Sequence, residues 1–476
     1  MKENRLPNSN ENKMGTMPVG RLLLTMALPL VLSMLVQAFY NVVDSYFVTL
    51  ISHENNDAVT ALSLAFPIQN LQIGFATGIA VGMNSLLSKS LGENNREGAN
   101  QAAGNGIFLT VLAAALFLVF GFVGTKSYYS VFNASDHIRQ YGIDYTAICS
   151  IFGLGSFIAI LGERMLQSSG RAVYTMITQS VGAIVNIILD PLFILGSEGL
   201  SAMLGFQLPF YVPRCEVAGA AIATVIAQWV SGVLAVIFNL TKNPDIDFRL
   251  RYLKPKMDII GKTLSVGIPS IIMMAIGSVM NFCMNQIFMG FSATATAVFG
   301  IYFKLQSFFL MPLFGLNNAS ISIIAYNYGA RQPKRITATL KLALCTAMTI
   351  MLIGLAVFQI FPDVLMGIFD SAEDDIAGEL VTNGVKALRI VSFHFPIAAI
   401  GIALGASFPA LGNGIYSTIT SLCRQLVVLV PAAYLLSLTG DVNAVWWSFP
   451  LAEIVSAALT VLFFLNIYRR KVKPLF

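Results

Sequence analysis

Two acids and an amide stand where the chain is otherwise apolar. In VGAIVNIILDPL, residues 181–192, Asn186 and Asp190 are four apart, which puts them on one helix face, one a turn above the other. In LVQAFYNVVDSYFV the acid Asp44 sits among aliphatic and aromatic residues. An ionisable group inside a membrane span costs roughly 2.5–3.5 kcal/mol on insertion scales, so it faces a bundle interior or a wet cavity and marks an ion or proton path. At a rise of about 1.5 Å per residue, Asp44 lies roughly 35 Å and Asp190 roughly 29 Å along their spans from the basic end. Thr224, in GAAIATVIA, lies roughly 10 Å from the opposite end of the sixth span. Four oxygen-bearing side chains at compatible depth can hold a hard cation, Na+ included, or a proton.

The elements that must carry these groups follow from composition. The 476 residues are 56% hydrophobic and 11% charged, too little polar surface for a soluble domain. Apolar runs of about 20 residues indicate helices rather than barrel strands. The reading is an all-α integral membrane protein with about twelve transmembrane helices, at 20–49, 58–88, 99–124, 138–163, 171–195, 217–240, 260–289, 293–324, 336–361, 378–406, 414–437 and 444–468. Four of the five cysteines, Cys149, Cys283, Cys345 and Cys423, fall inside spans, and no disulfide framework or zinc spacing follows. The net charge of +5 is not a nucleic-acid footprint, because the basic residues alternate between loops. Lys and Arg crowd the loops on one side, which places both termini in the cytoplasm of a plasma-membrane protein. The polar tail before the first span reads as disordered, with no cleavable signal peptide.

Residues 241–259 form a charged connection at the midpoint, between bundles at 20–240 and 260–468, with cytoplasmic tails at 1–19 and 469–476. An internal repeat supports the division. At an offset of 240, Pro29 falls on Pro269; at 237, Gln69, Ser85 and Gly92 fall on Gln306, Ser322 and Gly329; at 242, Gly170 falls on Gly412 and YTMIT from Tyr174 falls on YSTIT from Tyr416. Two six-helix bundles related by an axis along the membrane normal are the parallel-repeat plan of some secondary transporters. The same offsets carry Asp44 to Met284, Asn186 to Val428 and Asp190 to Ala432, so the second bundle keeps the scaffold without the acids.

Other polar groups lie inside the second half. Lys304, Arg424 and Glu453 sit roughly 14–17 Å inside their spans, and a Lys304–Glu453 ion pair is the structural reading, with substrate or proton handling as the alternative. His394, near Pro396, reads as a packed histidine, with a proton relay as the alternative. Glu163 and Gln167 close the fourth span at its basic end, where solvation is easy. Gly74, Gly78 and Gly82, like Gly401 and Gly405, make faces for close helix packing. Met273, Met274, Met280 and Met284 read as lipid-facing or core, with an adaptable drug surface as the alternative.

Taken together, YNVVD (Tyr40–Asp44), SLGENNREGA from Ser90, QSSGRA from Gln167, VNIILDPL from Val185, GAAIAT from Gly219 and IIAYNYGA from Ile323 make a chain that resembles the multidrug and toxic compound extrusion (MATE) transporters over its full length, with most likeness to the MepA-like branch. The resemblance implies two six-helix bundles flanking a cleft and export of amphipathic, often cationic, compounds against inward proton or sodium flow. It carries the first-half cation site to Asp44, Asn186, Asp190 and Thr224. Tyr40, Asn41, Glu163, Gln167, Met284, Lys304 and Glu453 are candidates for lining a substrate cavity. Two departures are Thr49, where a glycine commonly follows, and the long segment from Gly196 to Glu216. The expected protein is a functional monomer in contact with membrane lipid, with no cofactor beyond the coupling ion. A flippase for lipid-linked saccharides or lipids is the rival transporter reading. An enzyme is not expected, since HExxH, GxSxG and histidine clusters are absent from the sequence.

Overall fold

The structure, a computed structural model, describes residues 12–51, 57–132, 135–207, 209–368 and 377–476, and among them helix is the only regular secondary structure. Ten helices are long and apolar enough to cross a membrane, and two bent pairs bring the number to twelve. The pairs are Asp136–Ile151 with Leu154–Ser168, bent by 48°, and Leu380–Ser392 with Phe395–Ala410, bent by 46°. These are the fourth and tenth spans, and the repeat offset of 242 carries residues 151–154 onto 393–396. The two bends have different causes. Pro396 has no N–H to continue the helix. At Gly153 the amide turns back to the Ser150 carbonyl, and the freed Cys149 carbonyl accepts from Gln72 Nε2 at 3.3 Å. A Cβ on Gly153 would stand 2.1 Å from that Gln72 nitrogen and 2.8 Å from the Cys149 carbonyl oxygen, so a larger residue would displace the amide from this carbonyl.

The repeat is also visible in backbone detail. Gly170 and Gly412, one offset apart, both adopt left-handed φ, +81° and +73°. Each is followed by the same tight return, Arg171 N to Leu166 O and Asn413 N to Phe408 O, both 2.7 Å.

The chain forms two compact units. The first-half unit comprises Leu32–Leu87 and Asn95–Ile271, and the second-half unit comprises Met1–Val31, Ser88–Asn94 and Ile272–Phe476. The helices Val19–Thr49 and Met257–Met289 therefore change unit part-way, two residues past Pro29 and Pro269. The 20–240 and 260–468 division differs from these units at those two helices and at the end of Asp57–Gly92.

In the first-half unit the glycine face is a backbone contact. A Cβ on Gly82 would lie 2.1 Å from the Thr263 carbonyl oxygen and one on Gly78 would lie 2.6 Å from the Gly267 oxygen. Gly82→Ala must separate two backbones, and it is expected to lower thermal stability in detergent by about 1–3 kcal/mol; an unchanged melting temperature would mean the contact is soft. The charged midpoint connection does not hang free. Asn100 Oδ1 accepts from Asp247 N, and Asn105 Oδ1 accepts from Lys256 N, both at 2.8 Å. Arg171 pairs with Asp245.

In the second-half unit the described part of the polar tail, from Asn12, is packed, where the sequence reading expects disorder; the rest of the tail lies outside the described residues. Lys13–Thr16 is one helical turn with Met14 fully buried. Arg335 Nη2 donates to the carbonyls of Met14 (2.9 Å) and Met17 (2.8 Å), while its Nε donates to Asn327 Oδ1 at 2.9 Å. Gly92 and Gly329 make reciprocal close approaches: a Cβ would lie 1.9 Å from the Tyr326 oxygen in one case and 2.1 Å from the Lys89 oxygen in the other. SLGENN and IIAYNYGA thus carry packing at the basic end.

Candidate functional site

The first-half unit brings the predicted acids together. Asp44 comes from Val19–Thr49 and Asp190 from Ala172–Leu204, and their carboxyl groups stand within direct interaction range of each other. Asn186, one turn from Asp190, donates from Nδ2 to Asp190 Oδ1 at 3.2 Å. Asn186 and Asp190 are buried. Oδ1 of Asp44, Oδ2 of Asp190 and Oδ1 of Asn186 are all buried with no hydrogen-bond partner among the described residues. Ionised carboxylates only accept, so two of them facing each other are stable only around a shared proton or a small cation. The donor set, oxygen alone, fits Na+ or H+ rather than a soft metal. Among the described residues no group of three or more His, Cys, Asp or Glu is placed to hold a metal ion.

Thr224 is placed by register. Gly219 abuts Phe193 and Gly182 abuts Ser231 across the antiparallel pair Ala172–Leu204 and Glu216–Lys242, which sets Thr224 level with Ile188, between Asn186 and Asp190 in height. Tyr40 stands within electrostatic reach of both acids. The side chains of Asn41 and Thr49 lie outside the described residues.

Three further residues close the site, none of them anticipated. Gln69 Nε2 donates to Tyr145 OH at 2.9 Å and contacts Cys149 Sγ at 3.9 Å, and Tyr145 and Cys149 both stand within electrostatic reach of Asp44. The one signal in the sequence was the match of Gln69 to Gln306. That equivalence holds in structure, because Gln306 Nε2 meets His394 Nε2 at 3.2 Å, so each repeat uses its glutamine to hold the bent span. His394 Nδ1 lies 2.8 Å from the Val391 carbonyl; read as donor there, it leaves Nε2 to accept from Gln306. His394 is a packed, fully bonded histidine.

Several candidates sit differently from expectation. Glu163 and Gln167 are buried rather than solvated, because neighbouring helices cover the end of their span. Glu163 accepts from Thr178 Oγ1 at 3.2 Å and from Gln179 Nε2 at 2.7 Å. Glu163→Ala strands the Gln179 amide and is expected to cost about 1–3 kcal/mol of stability, read as a lowered melting temperature; Thr178 keeps its bond to the Thr175 carbonyl. Met284 is fully buried, so it packs in the core and lines no open cavity. Glu453 pairs with Arg424, Nη1 to Oε2 3.5 Å, and not with Lys304, which is exposed. Lys304 is two positions from buried Tyr302, which stands within electrostatic reach of Glu453 and Arg424, and two residues are about 200° of helix rotation.

A repeated helical membrane protein with a buried carboxyl pair in its spans has the organisation of a transporter. The chain belongs to the MATE family, whose MatE model matches residues 29–192 and 269–435, once in each repeat. A curated relative, the multidrug export protein MepA of Staphylococcus haemolyticus, is 23% identical over 435 residues, covering 91% of both chains. A FAD transporter of Shewanella oneidensis is 26% identical over 452 residues, covering 92% of both. Among solved structures, a MATE transporter in complex with MaL6 superposes with a TM-score of 0.88 at 23% identity, covering 98% of this chain and 99% of the other. An outward-facing multidrug resistance MATE transporter gives 0.86 at 23% identity, covering 99% of both chains.

Proposed function

We propose that this protein is a secondary antiporter of the plasma membrane, exporting amphipathic organic cations in exchange for protons or sodium, as a monomer with both termini in the cytoplasm. The observation that carries the reading is the facing pair Asp44 and Asp190 with their unpartnered oxygens. Such a pair accepts one positive charge at a time from either side of the membrane, which is what obligate exchange requires. Relatives named as multidrug exporters support the cargo class. The test is export of a panel of lipophilic cations from proteoliposomes with pH and sodium gradients imposed separately. Transport indifferent to both gradients would overturn the reading.

A second cargo reading has its own support. Lys304 is exposed and the Arg424 side chain is 35% exposed within spans of the second-half unit, and one relative is named as a transporter of FAD, a bulky anion. Inhibition of cation export by flavin adenine dinucleotide, lost in Lys304→Ala, would favour it.

A further inference from the structure

The long segment after the fifth span has no part in the carboxyl site, and its surface is unusual. At Gly196 the backbone leaves helical geometry (φ 73°, ψ 171°), so the Ser197–Leu204 stretch is turned off the line of the span. The chain reverses at Gly205, φ +78°, and returns along the stretch ending at Cys215. The hairpin is rigid at its root. Ser197 N donates to the Val212 carbonyl at 2.9 Å, Val212 N donates to Ser197 Oγ at 3.0 Å, and Cys215 N donates to the Phe193 carbonyl at 2.9 Å. Arg214 Nη2 donates to the Ile51 carbonyl at 3.1 Å and its Nε pairs with Glu216 at 3.4 Å, which ties the root to the ends of the first and sixth helices.

The tip is the opposite in character. Met203, Leu204, Phe206, Phe210 and Tyr211 are each between 50 and 75% exposed, and Glu198 is the one charged residue from Ser197 to Pro213. An aqueous loop does not concentrate large apolar side chains in this way. The root joins the ends of the fifth and sixth spans, and the fifth span leads up to it with Ile184 and Ile188 on its outer surface, 52% and 61% exposed. Phe and Tyr at a hydrocarbon boundary bury their rings among acyl chains and keep polar groups in the headgroup layer.

We infer that the hairpin tip, through Met203, Leu204, Phe206, Phe210 and Tyr211, is an interfacial anchor that inserts into the lipid leaflet at the rim opposite the basic loops. Its partner is the acyl–headgroup boundary. Having no basic residue at the tip, it binds by apolar insertion and is indifferent to lipid charge. The inference rests on the membrane fold alone and stands or falls independently of the coupling ion and cargo.

The test uses the full chain in liposomes, with the five native cysteines replaced by alanine and a nitroxide on Phe206→Cys or Tyr211→Cys, and with Ile188→Cys as the lipid-facing reference. Oxygen is expected to collide with the labels at 206 and 211 about threefold or more as often as an aqueous nickel chelate does, in anionic and in zwitterionic vesicles alike. Chelate access equal to or above oxygen access overturns the inference. So do label–label broadening between copies, which assigns the tip to a second chain, and chelate access abolished by tetraphenylphosphonium, which assigns it to cargo. Oxygen preference confined to anionic vesicles also overturns it, since the contact would then be electrostatic.

Discussion

Asp44→Asn is expected to abolish gradient-driven export while leaving the protein folded in the membrane. One pH unit is worth about 1.4 kcal/mol, so one-for-one exchange of a proton for a monovalent cation sustains a drug gradient of about tenfold, and neutralising the site collapses it to one. The fold survives because the substitution keeps the side-chain volume and relieves the crowding of two facing carboxyls, leaving Asp190 its bond from Asn186. Proteoliposomes with an imposed pH step read the accumulation ratio directly, with the melting temperature as the folding control. A wild-type ratio in Asp44→Asn would remove Asp44 from coupling. Met284→Ala, at the repeat-equivalent position, removes core packing, so its loss of export should track its loss of stability.

What was legible in the sequence was local or compositional. Asn186 and Asp190 meet because a separation of four is a contact in any helix. The helix count and the repeat followed from hydropathy and offset. Depth along a span was also legible, and it brought Asp44 to the height of Asp190. Rotation about a helix was not: Lys304, Arg424 and Glu453 all lie in mid-span, but only azimuth decides that Arg424 is the partner. Effects imposed by a neighbouring helix were equally silent. The bend at Gly153 depends on an amide from another helix, whereas the bend at Pro396 is written in the chain itself. Gln69, Tyr145 and Cys149 are neutral residues common in spans, so nothing in the sequence marked them except the Gln69 and Gln306 match. The burial of Glu163 and Met14 likewise comes from covering helices rather than from distance to a span end.

Equilibrium drug binding to the purified protein should depend on pH and on sodium, with a defined sign. If the carboxyl pair holds either a coupling ion or the charge balance for a bound cationic drug, protons compete with drug, and affinity falls as pH falls. The slope is at most about tenfold per pH unit for each proton displaced. At fixed pH, sodium lowers drug affinity only if the oxygen set of Asp44, Asn186, Asp190 and Thr224 accepts it, so the two titrations separate proton from sodium coupling. Linkage makes the effect reciprocal, so a saturating lipophilic cation must weaken proton or sodium binding by the same factor. In Asp44→Asn combined with Asp190→Asn both dependences should vanish. Wild-type affinity flat from pH 5 to 9 and flat in sodium would end the coupling role proposed for this pair. Dependence that persists in the double variant would move the site to another buried carboxyl of the spans, either Glu163, held by Thr178 and Gln179, or Glu453, paired with Arg424. The pH response of Glu163→Gln and Glu453→Gln would then decide between them.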